Sequence, residues 1–280
     1  MAGPPDPAVL ALTAEPFASV GDAHRRLAAL ERTFRARGDR RGAFLAIYAR
    51  VTGEVGRSIA AGEFADPDWV ADYLVAFAEL YREALVAFET GDGELSGAWR
   101  LAFEAAATGD CLVSQAALLG INAHVNYDLA LALDAAGLDA DREARYADHC
   151  AVNDVLKRLV DEVQERLADR YAPGIATVDE SLGRLDEAVA YWVLSVGRES
   201  AWWCAVALAD SRSRWGLRRR VATAFRTGSS TGVAHLLLGP TRSTGLRALF
   251  GRIERGPRRR GRRRGEPDVE TDGDGRDGTG

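Results

Sequence analysis

The sequence predicts an all-α bundle, and three observations carry that prediction. Apolar residues recur at steps of three and four through residues 1–211, the spacing that lines one face of a helix. Alternating apolar and polar runs, which half-buried strands need, are scarce. Short stretches rich in Gly, Pro and Asp cut the periodic regions at helix-length intervals.

In chain order, the pattern predicts helices over 22–37, 41–61, 67–90, 96–107, 111–136, 141–171 and 179–212. Before them, "MAGPPDPAVLALTAEP" carries acids and no basic start, so residues 1–20 read as a flexible N-terminus and not a signal peptide. The first helix has the stripe Ala23, Leu27, Leu30 and Phe34, with His24 beside it and expected in solvent; "RGD" at 37–39 ends it. Phe44, Tyr48, Val51 and Val55 make a core stripe in the second. "AGEFADPD" at 61–68 leads into the third, with Asp68 after Pro67 as its expected cap. "TGDGE" at 90–94 and "TGD" at 108–110 bound the fourth, where Ser96 is the expected cap and Trp99 and Phe103 are core. Asp110 is the expected cap of the fifth. The sixth aligns Val152, Val155, Leu156 and Leu159 and stops at "YAPG", 171–174. The seventh aligns Trp192, Val196, Trp203 and Val206, with the carboxylate of Glu199 on the same stripe.

At 280 residues, 47% of them apolar, the chain has ample material for one core, expected as a single helical domain over 21–212. Charge divides the remainder. Residues 212–264 hold sixteen arginines against one acid, Glu254; residues 265–280 hold six acids against Arg276; the first 211 residues carry −15. The expectation is a basic arm over 213–264 with short amphipathic helices, then an acidic disordered tail over 265–280. Cys111, Cys150 and Cys204 are odd in number and widely spaced, which points to reduced thiols in a cytoplasmic protein. No uncharged apolar run reaches the length that spans a bilayer.

Polar chemistry concentrates in "LLGINAHVNYDL", 118–129. The chain has three asparagines, Asn122, Asn126 and Asn153, and two of its four histidines, His124 and His149, lie beside them. At about 100° per residue, His124 and Asp128 leave one side of the helix and Asn122 and Asn126 another. Leu118, Leu119, Ile121, Val125 and Leu129 fill the rest, and a helix apolar nearly all round belongs at the centre of a bundle. Each polar group there needs a partner, at a cost of about 1–3 kcal/mol if unmet. In the sixth helix His149 lies in line with Val152 and Leu156, Asn153 flanks it, and Asp154 faces solvent. In the seventh, Arg198 and Trp202 stand four apart, a spacing suited to a cation–π contact.

Two readings follow. In one, these groups form a buried hydrogen-bond network that fixes helix register, in a non-enzymatic interaction protein. In the other they line a metal or small-ligand site. His124, Asp128 and His149 would be the metal ligands, Glu199 could complete a divalent-metal sphere, and Arg198 would be accessory. Such a metal would activate water, so hydrolase is the enzyme class this reading names. H-E-x-x-H, paired E-x-x-H helices, a G-x-S-x-G elbow and a P-loop are all absent. For the arm, where Leu246, Leu249, Phe250 and Ile253 group at helical spacing, docking on the acidic body or a plain solvated tail comes first and an anionic membrane surface second. In the second case the protein would be peripheral to a membrane. Nucleic acid is the least expected partner, because Trp215 and Phe225 are the arm's only aromatics before that last helix.

"LLGINAHVNYDLALAL", "RYADHCAVNDVLKRLVDEVQERLA" and "GRESAWWCAVALA" resemble the motifs of a bacterial and haloarchaeal domain-of-unknown-function family. Its core motif is G-[I/M]-N-A-H-[I/V]-N-x-D-L, and "FLAIYARVTGEVGRSIAAGEFADPDWV" is similar to its upstream part. The resemblance covers roughly residues 20–210. It implies the helical fold and gives weight to Asn122, His124, Asn126, Asp128, His149, Asn153, Asp154, Arg198 and Trp202. It brings no established reaction.

Overall fold

The computed structural model describes residues 5–138, 141–171, 184–210, 216–239 and 243–255, and the regular structure among these residues is helical throughout. The elements are α1 (Pro7–Thr13), α2 (Val20–Ala36), α3 (Arg41–Ala60), α4 (Pro67–Thr90), α5 (Gly97–Thr108) and α6 (Val113–Ala123). A single π-turn over His124–Asp128 joins α6 to α7 (Leu129–Ala136). After these come α8 (Arg142–Tyr171), α9 (Arg184–Asp210), α10 (Leu217–Leu238) and α11 (Thr244–Arg255).

Local chemistry sets most of the boundaries. Ser19 and Ser96 accept from the amides of Asp22 and Trp99 and cap α2 and α5. For α4 the cap is Asp66, accepting from Trp69 N at 3.0 Å, one residue before Pro67 and not the expected Asp68. Gly91 and Gly109 end α4 and α5 at φ 74° and 69°, the left-handed geometry that a side chain resists. Asp110 caps nothing. The first amides of α6, those of Val113 and Ser114, donate instead to the buried carboxylate of Glu254 in α11, at 2.9 and 3.0 Å.

Side chains pack into two apolar clusters. One gathers α1, α2, the first half of α3, α5 and α6 around Leu27, Phe34, Leu45, Trp99 and Leu119. The other gathers α4, α7, α8 and α9 around Trp69, Tyr73, Leu133, Val155 and Trp202. Helices α3 and α4 belong to both, and the π-turn is the covalent joint between them.

Three expectations change. Residues 7–17 are not a loose end, since Asp6 caps α1 and Val9 and Phe17 are buried. Nor does the fold stop at 212: α10 packs on α5, α6, α9 and the π-turn and buries Ala222, Arg226, Ser230 and Ala234. In α9 the buried stripe is Arg198, Ala201, Trp202, Ala205 and Leu208, while Val196 and Trp203 are 44% and 60% exposed. The cause is Gly197, where α9 meets the π-turn so closely that a Cβ would stand 2.9 Å from Asn126 Oδ1. Periodicity alone favoured the larger side chains. His24 is also half-buried, with Nδ1 2.7 Å from the Ala49 carbonyl. Trp192's side chain, Trp215 and residues 256–280, with the acidic tail, lie outside the described residues. The three cysteines are free thiols, and burial pushes the Cys111 thiol up to about 11. No helix among the described residues is long and apolar enough to cross a membrane.

Candidate functional site

A π-turn holds one residue more than an α-turn, and such turns recur at functional sites. Here the amide of Leu129 donates to the carbonyl of His124, five residues back. The asparagines bolt this turn in place. Asn126 Nδ2 donates to Asn122 Oδ1 at 2.9 Å, and Asn122 Nδ2 to the Ser230 carbonyl at 2.8 Å, so the pair ties α6 to α10. From α10, Arg226 donates to the Tyr127 carbonyl at 3.1 Å and covers the Tyr127 ring at 4.0 Å.

His124 is gripped differently. Its ring stacks on Phe77 with centroids 3.4 Å apart and 7° between planes, and meets Tyr48 edge-on at 4.4 Å. Nδ1–H donates to Asp128 Oδ2 at 3.0 Å, and the same oxygen accepts Trp99 Nε1–H at 2.8 Å. All three side chains are buried. Burial lowers the affinity of His124 for a second proton, against the pull of Asp128, and burial raises the Asp128 carboxyl above its usual range. The imidazole is thus neutral, with its proton on Nδ1 and a lone pair on Nε2. That Nε2 is buried and has no hydrogen-bond partner.

At the seam between the two clusters lies a cavity of about 100 Å³. Its walls are aromatic and aliphatic, among them Phe44, Tyr48, Phe77, Val125 and Val152; His124 and Arg198 bring the strongest polar groups. Arg198 is 3% exposed. Its Nε donates to Asn153 Oδ1 at 2.6 Å, its Nη2 to the His149 carbonyl at 2.8 Å and toward His149 Nδ1 at 3.3 Å, and its Nη1 to Tyr73 Oη at 3.5 Å. Every one of these acceptors is neutral, and no carboxylate among the described residues pairs with the guanidinium. Burial and the Arg198 charge push the His149 imidazole well below its ordinary value, so His149 is neutral too.

The expected site residues therefore fall into three groups. His124 with Asp128, and Asn122 with Asn126, pair as helical spacing predicts. His149, Asn153 and Arg198 form a second cluster on α8 and α9. Glu199 joins neither: it accepts from Tyr146 Oη at 2.9 Å and from Trp203 Nε1 at 2.7 Å on the outer side of α9. The metal sphere of His124, Asp128 and His149 completed by Glu199 is accordingly not assembled, and among the described residues no three His, Cys, Asp or Glu side chains gather around a point. The physical reason is Arg198, which occupies His149 and would repel a cation. Arg198 does not stack on Trp202; that ring lies instead beside His149 and Tyr146, at 5.3 and 5.1 Å. Asp154 is exposed, as its helical phase requires. Sequence reasoning placed Tyr48 and Trp99 in a plain core and passed over Tyr73, Phe77 and Arg226. Their role depends on contacts 29 to 125 residues apart.

No match to this chain was found among curated proteins or among solved structures. Against known protein families, residues 20–240 match one described as a family of unknown function, DUF5995. That span starts at α2 and runs past α10, so it includes the helix that holds Asn122 as well as the π-turn itself. It covers well over half of the 280 residues, and the chain belongs to this family of unknown function.

Proposed function

We propose that the seam cavity is a binding site for a small, mostly apolar molecule, and that His124 accepts a proton or hydrogen bond from that molecule. The observation that carries this reading is the buried Nε2 of His124, left without a partner while Asp128 fixes the other nitrogen. An unmet buried acceptor costs about 1–3 kcal/mol, and a ligand hydroxyl or N–H would recover it. A neutral imidazole oriented by a carboxylate is also the arrangement of a general base, so the site has acid–base competence built in. The test uses ¹⁵N-histidine-labelled protein titrated with cyclopentanol and butan-1-ol. A saturable shift of the His124 Nε2 resonance is expected, abolished by Val152→Phe, which fills the cavity. Absence of any saturable shift, or a shift untouched by Val152→Phe, overturns the reading.

A second reading concerns the arm. Leu246, Leu249 and Phe250 are 45%, 52% and 38% exposed on α11, and sixteen arginines stand against one acid over 212–264. An apolar face beside that much positive charge supports contact with an anionic membrane surface. Pelleting with vesicles containing phosphatidylserine, but not with pure phosphatidylcholine, is the expected result. It should be lost when Leu246, Leu249 and Phe250 are all changed to Gln; equal pelleting of both proteins would sink the idea.

A further inference from the structure

Arg198 raises a question of charge that the hydrogen bonds around it do not answer. A guanidinium has five N–H donors. Nε uses one on Asn153, Nη2 uses two on His149, and Nη1 uses one on Tyr73 at the long distance of 3.5 Å, so one Nη1–H is left over. Tyr73 Oη accepts that bond, and its own O–H then has no acceptor among the described residues. Two unspent donors therefore stand side by side, one on a cation, and both Arg198 and Tyr73 line the cavity. Burying a charge without a counter-charge is among the costlier arrangements available to a protein.

The larger cavity, about 430 Å³ between α2, α3 and α8, is the informative contrast. It is lined by six arginines, yet most of them are matched: Arg35 and Arg170 pair with Glu31, Arg50 and Arg57 with Glu54, and Arg166 with Glu162. Two arginines are buried, Arg198 and Arg226, and neither pairs with a carboxylate among the described residues; Arg226 covers the Tyr127 ring, whereas Arg198 lines the cavity.

We infer that the missing counter-charge is the carboxylate of the ligand, and that the cavity takes a short carboxylic acid, its head on Arg198 Nη1 and Tyr73 Oη and its body between Phe77, Tyr48 and Val152. The inference rests on the small-molecule reading above and names the ligand class for it. Size follows from volume. An apolar cavity of about 150 Å³ takes up benzene, so about 100 Å³ holds a body of roughly four carbons. A donor on that body, such as a hydroxyl, would meet His124 Nε2 from the far end. A carboxylate on a guanidinium is the strong, charge-assisted kind of hydrogen bond, and an amide of the same shape cannot replace it.

The experiment titrates the full chain with valerate, isovalerate, valeramide, pentan-1-amine and sodium chloride, followed by ¹⁵N shifts of the arginine side chains and of His124. Valerate and isovalerate should bind at least about tenfold more tightly than valeramide, with the amine not binding. Arg198→Gln should erase the preference for acid over amide. In case that variant does not fold, Tyr73→Phe removes one donor without changing the cavity's shape and should weaken the acids several-fold and valeramide less, because a carboxylate makes the stronger hydrogen bond to the lost O–H. Equal binding of valerate and valeramide overturns the carboxylate assignment and leaves the small-molecule site standing. Chloride competing as well as valerate overturns it too, in favour of an inorganic anion. If none of the probes binds, and cyclopentanol and butan-1-ol also fail, both readings fall.

Discussion

His124 and Asp128 are four residues apart, both buried, and linked by a 3.0 Å hydrogen bond that the π-turn presents to Trp99 from the other side. Replacing Asp128 by Ala strands two N–H groups, His124 Nδ1–H and Trp99 Nε1–H, in a buried site. A loss of about 2–4 kcal/mol in urea unfolding is expected, against about 1–2 kcal/mol for Asp128→Asn, which keeps an acceptor. Equal losses would mean that the carboxylate does no orienting. The histidines also set a pH dependence. His124 and His149 both have folded-state affinities for the proton below their ordinary value of 6.5, so below that pH the unfolded chain binds protons the folded chain refuses. Stability is therefore full above pH 6.5 and falls as pH drops through it, by up to about 1.4 kcal/mol per unit for each histidine. Asp128, held above its usual range by burial, works in the opposite sense, since the folded carboxyl keeps a proton that the unfolded one gives up. Urea midpoints at pH 8, 6.5 and 5.5 should show the fall, and His149→Gln should remove about half of it; a flat profile would mean that both imidazoles bind protons in the fold as readily as in the unfolded chain.

At the scale of the helix, close approach is bought with glycine at a few positions. A Cβ at Gly120 of α6 would come within 3.0 Å of three Phe44 atoms, and Phe44 is a cavity wall. Gly120→Ala is thus expected to cost about 1–3 kcal/mol and to push Phe44 into the cavity, abolishing cyclopentanol binding. Gly228, in the exposed middle of α10, has nothing within 4 Å, and Gly228→Ala should instead stabilise by up to about 1 kcal/mol. The same contrast explains what the sequence made legible. Helices showed through because apolar spacing and Gly, Pro and Asp breakers are local properties. The polar centre showed through because the asparagines are so few and stand beside His124 and His149. Hidden from view were the π-turn, which has no local signature, and the phase of α9, where small Ala201 and Ala205 turn inward and Trp203 turns out. The aromatic wall was equally hidden, because Tyr48, Phe77 and Trp99 reach His124 from three different helices.

Over the whole molecule, the described part of the basic C-terminal region, α10 and α11, packs against the acidic body. Asn122 donates to Ser230, Gln115 Nε2 to the Leu237 carbonyl at 2.6 Å, and Glu254 accepts the first amides of α6; on the outside Arg247 pairs with Asp110 at 2.6 Å. All four contacts converge on α6 or the turn just before it, the helix that carries His124 at its end. A cut at the charge boundary, after residue 211, would therefore remove α10 and α11 from the helix that positions the site, and take the positive charge of Arg226 away from Asp128. The chain ending at 211 should unfold in urea with about 3 kcal/mol less stability, a large share of the roughly 5–15 kcal/mol usual for a domain. The chain ending at 255 keeps every one of these contacts and should match the full length within about 0.5 kcal/mol. Cyclopentanol binding ought to follow the same division, kept in the longer chain and lost in the shorter. Were the 211-residue chain as stable as the whole, the ties at Ser230, Leu237 and Glu254 would contribute nothing; the packing of Ala234 into the first core argues that they do contribute.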